Sequence, residues 1–312
     1  MNVIGLDIGG TIIKIGIIRS GEIIAETTID AISGKGLKGR LPAIEQAVNA
    51  LLGEQNIPKR SLSGISISSP GIIDPYKARL ITVYNKFEDA AQLDLRAWAK
   101  EKWGIPLSMN NDARSACIGE WQYGAGKGCD NMVMVTLGTG FGSSAIIEGR
   151  ILHGKHFRGG ILGGHIIANA EGFQCNCGSI GCVEAHSSTW NLETIAKNID
   201  GFENSGLAHK LPLDFKIIFE EAAAGNKIAI KIRNYCMDYW AVGIANLIYA
   251  YDPERVVIGG GVMKSADVII PYIQKRLKDF GWIDFGEIDI VKAKYPNSAA
   301  LLSAEYLINN PV

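Results

Sequence analysis

His165, Cys175, Cys177 and Cys182 place one imidazole and three thiols within eighteen residues. A Cys₃His set supplies the four donors of a closed structural zinc site. The spacing is not that of a common zinc finger. A Cys175–Cys177 disulfide is disfavoured by the single residue between the two thiols. Four protein ligands leave no open coordination position, so such a metal holds a loop in place and does not activate water.

A second kind of chemistry is suggested by three glycine runs. In Asp7-Ile8-Gly9-Gly10-Thr11 the glycines expose backbone N–H groups to an anion, Thr11 adds a hydroxyl, and Asp7 suits Mg²⁺, directly or through water. The same residues also suit an ordinary hairpin with an acidic turn. Leu137-Gly138-Thr139-Gly140 repeats the arrangement in the second half of the chain, and Gly259-Gly260-Gly261 follows a short apolar strand. Three such loops together favour a nucleoside triphosphate. The G-x-x-x-x-G-K-[ST] phosphate loop, the G-x-G-x-x-G dinucleotide fingerprint and the zinc-deaminase pattern are all absent. Asp112, in Asn110-Asn111-Asp112, sits where a strand gives way to a helix. It suits either a helix N-cap or a general base that takes a proton from a substrate hydroxyl.

The elements that must position these groups follow from the apolar pattern. Asn2–Ile8, Thr11–Arg19 and Glu22–Thr28 read as strands around glycine turns, and Leu41–Leu52 as a helix. Ile65–Ser68 and Leu107–Met109 read as short strands, with a helix at Leu93–Trp103 before Gly104. The cycle repeats with a helix at Ala113–Tyr123 and strands at Asn131–Leu137 and Ser143–Glu148. Mainly helical sequence follows to Tyr251, then a buried strand at Arg255–Ile258. This doubling predicts two α/β domains around a cleft, joined by a hinge near Asp112. At 312 residues, 47% hydrophobic and 20% charged, the chain can bury two cores. A net charge of −1 argues against non-specific nucleic-acid binding. No segment reads as membrane-spanning or as an export signal, so a cytoplasmic, reducing setting is expected, without a membrane or nucleic-acid partner. The other histidines, His153, His156, His186 and His209, show no partner in sequence and are expected in loops or at the surface. Cys117, Cys129 and Cys236 are expected to be buried small hydrophobes.

The glycine runs, Ser69-Pro70-Gly71, Asn111-Asp112-Ala113, Gly164-His165 and Cys175-x-Cys177-Gly178-x-x-Gly181-Cys182-x-Glu184 resemble the ROK family of sugar kinases and sugar-responsive repressors. The likeness runs from residue 2 to about residue 305. It implies an actin-like ATPase fold, two ribonuclease-H-like domains closing on ATP and sugar. The expected domains are 1–112, completed by a C-terminal helix at 298–312, and 113–297, which carries the zinc loop 165–184. By this resemblance Gly9, Gly10, Thr11, Gly138, Thr139 and Gly140 bind phosphates, Gly260 and Gly261 bind adenosine, and Asp7 serves Mg²⁺. Asp112 matches the catalytic base. Gly71, Asn85, Asn111, Asp112, His165 and Glu184 match the sugar site. His165 matches a residue that both ligates zinc and faces the sugar. A homodimer is implied by the same analogy.

One departure bears on substrate choice. Many family kinases carry Glu-x-Gly-His, whose Glu contacts sugar hydroxyls, whereas this chain reads Leu162-Gly163-Gly164-His165. No acidic residue lies between Glu148 and Glu171, so a small shift in alignment does not restore it. Loss of a hydroxyl acceptor changes selectivity strongly. It suits a modified sugar, or equally marks weak sugar binding. The expected activity is transfer of the γ-phosphoryl group of Mg-ATP to a hydroxyl, O6, of a hexose or hexose derivative. The alternative is a non-catalytic sugar or nucleotide sensor, or a regulator. A repressor is disfavoured because the first phosphate loop already starts at Asp7 and no basic segment accompanies it.

Overall fold

The structure, a computed structural model, describes residues 1–82, 86–281 and 288–311. The chain forms two units. One comprises Met1–Gly128, His153–Arg158 and Asn297–Val312, the other Cys129–Leu152 and Gly159–Pro296.

In the first unit the isoleucine-rich opening forms β1 (Asn2–Ile8) and β2 (Ile12–Arg19), followed by β3 (Glu22–Asp30). After α1 (Leu41–Glu54) come β4 (Leu62–Ser69), the small hairpin β5 (Ile72–Asp74) and β6 (Arg79–Thr82), α2 (Leu95–Trp103), β7 (Leu107–Asn111) and α3 (Asp112–Tyr123). The sheet order is β3-β2-β1-β4-β7. The first three strands run antiparallel to one another, and β4 and β7 run parallel to β1. Register places Asp7 beside Ser68, and Ser68 beside Asn110. Three polar residues therefore share the carboxyl ends of the parallel strands, where α/β sheets bind ligands. β1 is buried except at the half-buried Asp7, because both faces are covered. Ile4, Leu6 and Ile8 face a core with Ile44, Val48 and Trp98, while Val3 and Ile18 pack on Leu301 and Ala304.

The second unit repeats the plan. It contains β8 (Met132–Leu137), β9 (Phe141–Ile147), β10 (Arg150–Ile151), α4 (Val183–Ser187), α5 (Leu192–Lys197), α6 (Phe215–Ala223), α7 (Lys227–Tyr251), β11 (Arg255–Gly259), α8 (Ala266–Leu277) and β12 (Asp289–Lys292). The order β10-β9-β8-β11-β12 matches the first sheet strand for strand, with the same antiparallel and parallel pairings. Its core surrounds the buried Trp240 and Met237 of α7. Cys117, Cys129 and Cys236 are all buried. Among the described residues no helix is long and apolar enough to cross a membrane.

The first unit extends to Gly128 and does not stop at Asp112. The final helix, α9 (Ala299–Asn309), packs along α3 and holds it to the first sheet. The approach is close enough that a Cβ on Gly119 would lie 1.9 Å from the Ala299 carbonyl oxygen. Residues His153–Arg158 return to this unit because the buried Arg114 guanidinium donates to the carbonyls of His153 (3.2 Å) and Phe157 (3.0 Å). Tyr76 packs on the rings of both residues.

Candidate active site

β7 ends on Asn111, and that residue, not Asp112, caps α3. Its side-chain oxygen accepts from the N–H groups of Ala113 (3.0 Å) and Arg114 (3.3 Å). Its amide nitrogen donates to the Gly71 carbonyl (3.0 Å) and to Asp112 Oδ1 (2.9 Å). Gly71, at φ +100°, thus orients Asn111 through its backbone. Asp112, in the first helical turn, leaves the N-cap to Asn111 but shares the Ala113 N–H, its Oδ1 accepting from that group (2.9 Å) and from the Asn111 amide (2.9 Å). Burial pushes its carboxyl above the usual carboxylate range, the Asp7 carboxylate pushes it further, and the Ala113 N–H and Lys86 oppose both. A raised carboxyl is a better proton acceptor at neutral pH than an ordinary aspartate.

Asp7 lies in the same unit. Ser68 donates to its Oδ1 (3.2 Å), and Lys14 Nζ stands 3.7 Å from its Oδ2 while donating to the Asn297 carbonyl (2.6 Å). Burial raises the Asp7 carboxyl against the pull of Lys14 and Ser68. A carboxylate so placed suits a divalent cation that keeps several waters. In the adjoining turn the Gly9 N–H closes the hairpin on the Ile12 carbonyl (3.0 Å). Among the described residues, Gly10 and Thr11 therefore keep the N–H groups that remain for an anion.

In the second unit, the Gly138 carbonyl accepts from the N–H (3.0 Å) and hydroxyl (2.9 Å) of Thr189. Gly138 N–H itself turns back to the Gly140 carbonyl (3.1 Å). Gly260, at φ +95°, lies so close that a Cβ there would be 2.1 Å from the Leu137 carbonyl oxygen. The two glycine runs are therefore neighbours. A cavity of about 840 Å³ opens between Gly138, Thr139, Gly261, Phe215, Arg233 and Lys264, a size suited to a nucleoside. Glu184 accepts from the Phe141 N–H (3.0 Å) and the Trp190 indole (3.2 Å). It thus braces the Gly138–Gly140 loop, a role its sequence position did not suggest.

The ligand atoms of His165, Cys175, Cys177 and Cys182 lie within 4.8 Å of one another. Cys175 Sγ is 3.7 Å from His165 Nδ1, and the sulfurs of Cys177 and Cys182 are 3.7 Å apart. Zinc–sulfur bonds of about 2.3 Å give tetrahedral edges of roughly 3.8 Å, so the donor set fits zinc. Burial pushes the Cys175 thiol up to about 12, so its thiolate needs a cation beside it. The loop is built for this approach. Gly181, at φ +76°, has no room for a Cβ, which would meet the Asn169 carbonyl oxygen at 1.5 Å.

His186, expected in a loop or at the surface, is instead buried on α4. Its Nδ1 meets the Tyr235 hydroxyl at 2.6 Å, and its Nε2 accepts from the Phe173 N–H at 3.3 Å. Its ring stacks on Tyr239 at 4.1 Å. It ties the Cys₃His loop to α7, whose Tyr235 and Tyr239 lie about fifty residues further along the chain. Lys86, which no motif marks, rests on Gly10. Asn85 lies outside the described residues. Leu162 is exposed and accepts from the His165 N–H (2.9 Å), so it contributes backbone alone to the metal loop.

Residues 3–310 match the model of the ROK family. The chain is 28% identical to a glucokinase of Thermotoga maritima, over all of this chain and 98% of that one. It is 32% identical to a glucokinase of Halalkalibacterium halodurans, over 89% of this chain and 85% of that one. A ROK hexokinase from Thermus thermophilus superposes with a TM-score of 0.79 at 26% identity, covering 97% of this chain and 96% of its own. The doubled sheet order described above is accordingly that of the actin-like ATPase fold.

Proposed function

This chain belongs to the ROK family and is a sugar kinase; we propose that it transfers the γ-phosphoryl group of Mg-ATP to O6 of a hexose or hexose derivative. The observation that carries the reading is Asp112, a half-buried carboxyl oriented by the Asn111 amide and raised by desolvation and by Asp7. In the reaction the acceptor hydroxyl gives its proton to Asp112 as its oxygen attacks the γ-phosphorus, and the bond to the ADP oxygen breaks. The N–H groups of Gly10 and Thr11, and those of Thr139 and Gly140, receive the phosphate oxygens. Asp7 holds the metal of Mg-ATP, which supplies neutralising charge to the phosphates when bound. The cavity beside Gly261 takes adenosine. Gly71, Asn111, His165 and Glu184 serve the sugar, and Asn85 is proposed with them on the resemblance alone.

His165, Cys175, Cys177 and Cys182 hold Zn²⁺ in this reading, and the metal fixes the loop that carries His165 and precedes Glu184. Leu162, which offers no side-chain acceptor, favours a hexose modified at the hydroxyls that an acidic residue would otherwise bind. The test is ADP release with Mg-ATP and glucose, mannose, N-acetylmannosamine, N-acetylglucosamine, fructose, allose and β-glucosides. Turnover with at least one sugar is expected, falling about 10²–10⁴-fold in Asp112→Asn. Tight sugar binding without turnover would favour the sensor reading.

A further inference from the structure

Lys86 is an exposed cation that nothing in the sequence assigns to the site. Its placement is nonetheless fixed from below. The next residue, Phe87, is buried, sits at φ +49° and donates its N–H to the Ser33 carbonyl (3.2 Å). From this anchored backbone the Lys86 side chain runs onto the phosphate-type turn. A Cβ built on Gly10 would lie 2.6 Å from both Cε and Nζ of Lys86, which places the ammonium directly over that turn. Lys14, the other lysine here, is held by Asp7 and the Asn297 carbonyl. Among the described residues Lys86 has no hydrogen bond or ion pair, which leaves its three N–H donors available.

The surroundings call for a cation. Asp7 and Asp112 are two acids near enough to repel, and a triphosphate delivered to the Gly10–Thr11 turn adds further negative charge. An ammonium over Gly10 meets that charge together with the two backbone N–H groups. On the kinase reading given above, we propose that Lys86 is a catalytic residue that contacts the γ-phosphoryl oxygens and neutralises the charge carried to the acceptor. Its attraction for the Asp112 carboxylate points the same way, since it opposes the burial that raises that group.

The test compares wild type, Lys86→Met and Lys86→Arg. Calorimetric titration with AMPPNP and with ADP, both with Mg²⁺, reads the phosphate contact without any sugar. Lys86→Met is expected to lose roughly tenfold or more in AMPPNP affinity while ADP affinity is unchanged. With an accepted sugar its kcat is expected to fall by about 10²-fold, and Lys86→Arg to recover much of both losses. An unchanged AMPPNP-to-ADP ratio in Lys86→Met overturns the proposal and leaves the kinase reading standing. A loss confined to the sugar KM also overturns it, by assigning Lys86 to the acceptor. A wild type that binds neither nucleotide overturns the kinase reading and this proposal together.

Discussion

On the proposed reading, Asp112 sets a catalytic requirement against the fold at a single residue. Its pKa is raised in the folded chain, so the stability it contributes is fully present below its unfolded pKa and is lost as pH rises through the folded one. The anion needed as a base is thus the form the fold disfavours. Asp112→Asn is expected to melt at or above the wild-type temperature at pH 7, with the difference shrinking towards pH 4, while turnover is lost. Thermal denaturation at the two pH values checks this, and a variant less stable at pH 7 would contradict it. The sequence left Asp112 open between cap and base. Because β7 ends on Asn111, that residue caps α3 and Asp112 shares only the Ala113 N–H, while the role of base belongs to the proposed function. Lys86 was illegible for another reason, because its target, Gly10, lies 76 positions away and no local pattern links them.

At the scale of elements, the Cys₃His loop lies between β10 and α4, with Ile166, Ala168 and Phe173 resting on the core of the second unit and a small cluster of its own at Cys175, Cys182 and Ala185. Its backbone is bonded mainly to itself, as in the Cys175 N–H on the Ser179 carbonyl (2.8 Å), the Gly181 N–H on the Phe173 carbonyl (2.9 Å) and the Val183 N–H on the Ile166 carbonyl (3.0 Å), with the Phe173 N–H on His186 besides. On the zinc reading, a bound metal adds to the order of this segment. Stripping zinc with a chelator is expected to lower the melting temperature by several degrees and to open the loop to protease near Asn176. Zinc, but not magnesium, should restore both. An unchanged melting curve after verified loss of metal would show that the hydrogen bonds suffice. The cluster of four donor groups was legible because its thiols lie close in sequence. The supports were not, because Tyr235 and Tyr239 come from α7.

For the whole molecule, the doubling was legible because both sheets begin with a strand, a glycine turn and an antiparallel return. The division between the units was not. It depends on α9 packing along α3 and on the Arg114 contacts to His153 and Phe157, and local periodicity carries neither. Truncation before Asn297 is expected to unfold the first unit, since it uncovers Val3 and Ile18, while the second unit keeps its metal. Limited proteolysis with zinc quantification reads the two outcomes separately. Resistance of Met1–Gly128 to protease in the shortened chain would refute the expectation.

The position of α9 also sets an order of events during synthesis. Domains ordinarily fold as they emerge, the N-terminal one first. Here about 170 residues separate Gly128 from Ala299, roughly 10–30 s at typical elongation rates, during which Val3 and Ile18 wait uncovered. β1 is made long before the helix that seals it, so its apolar face on that side stays open to solvent throughout the interval.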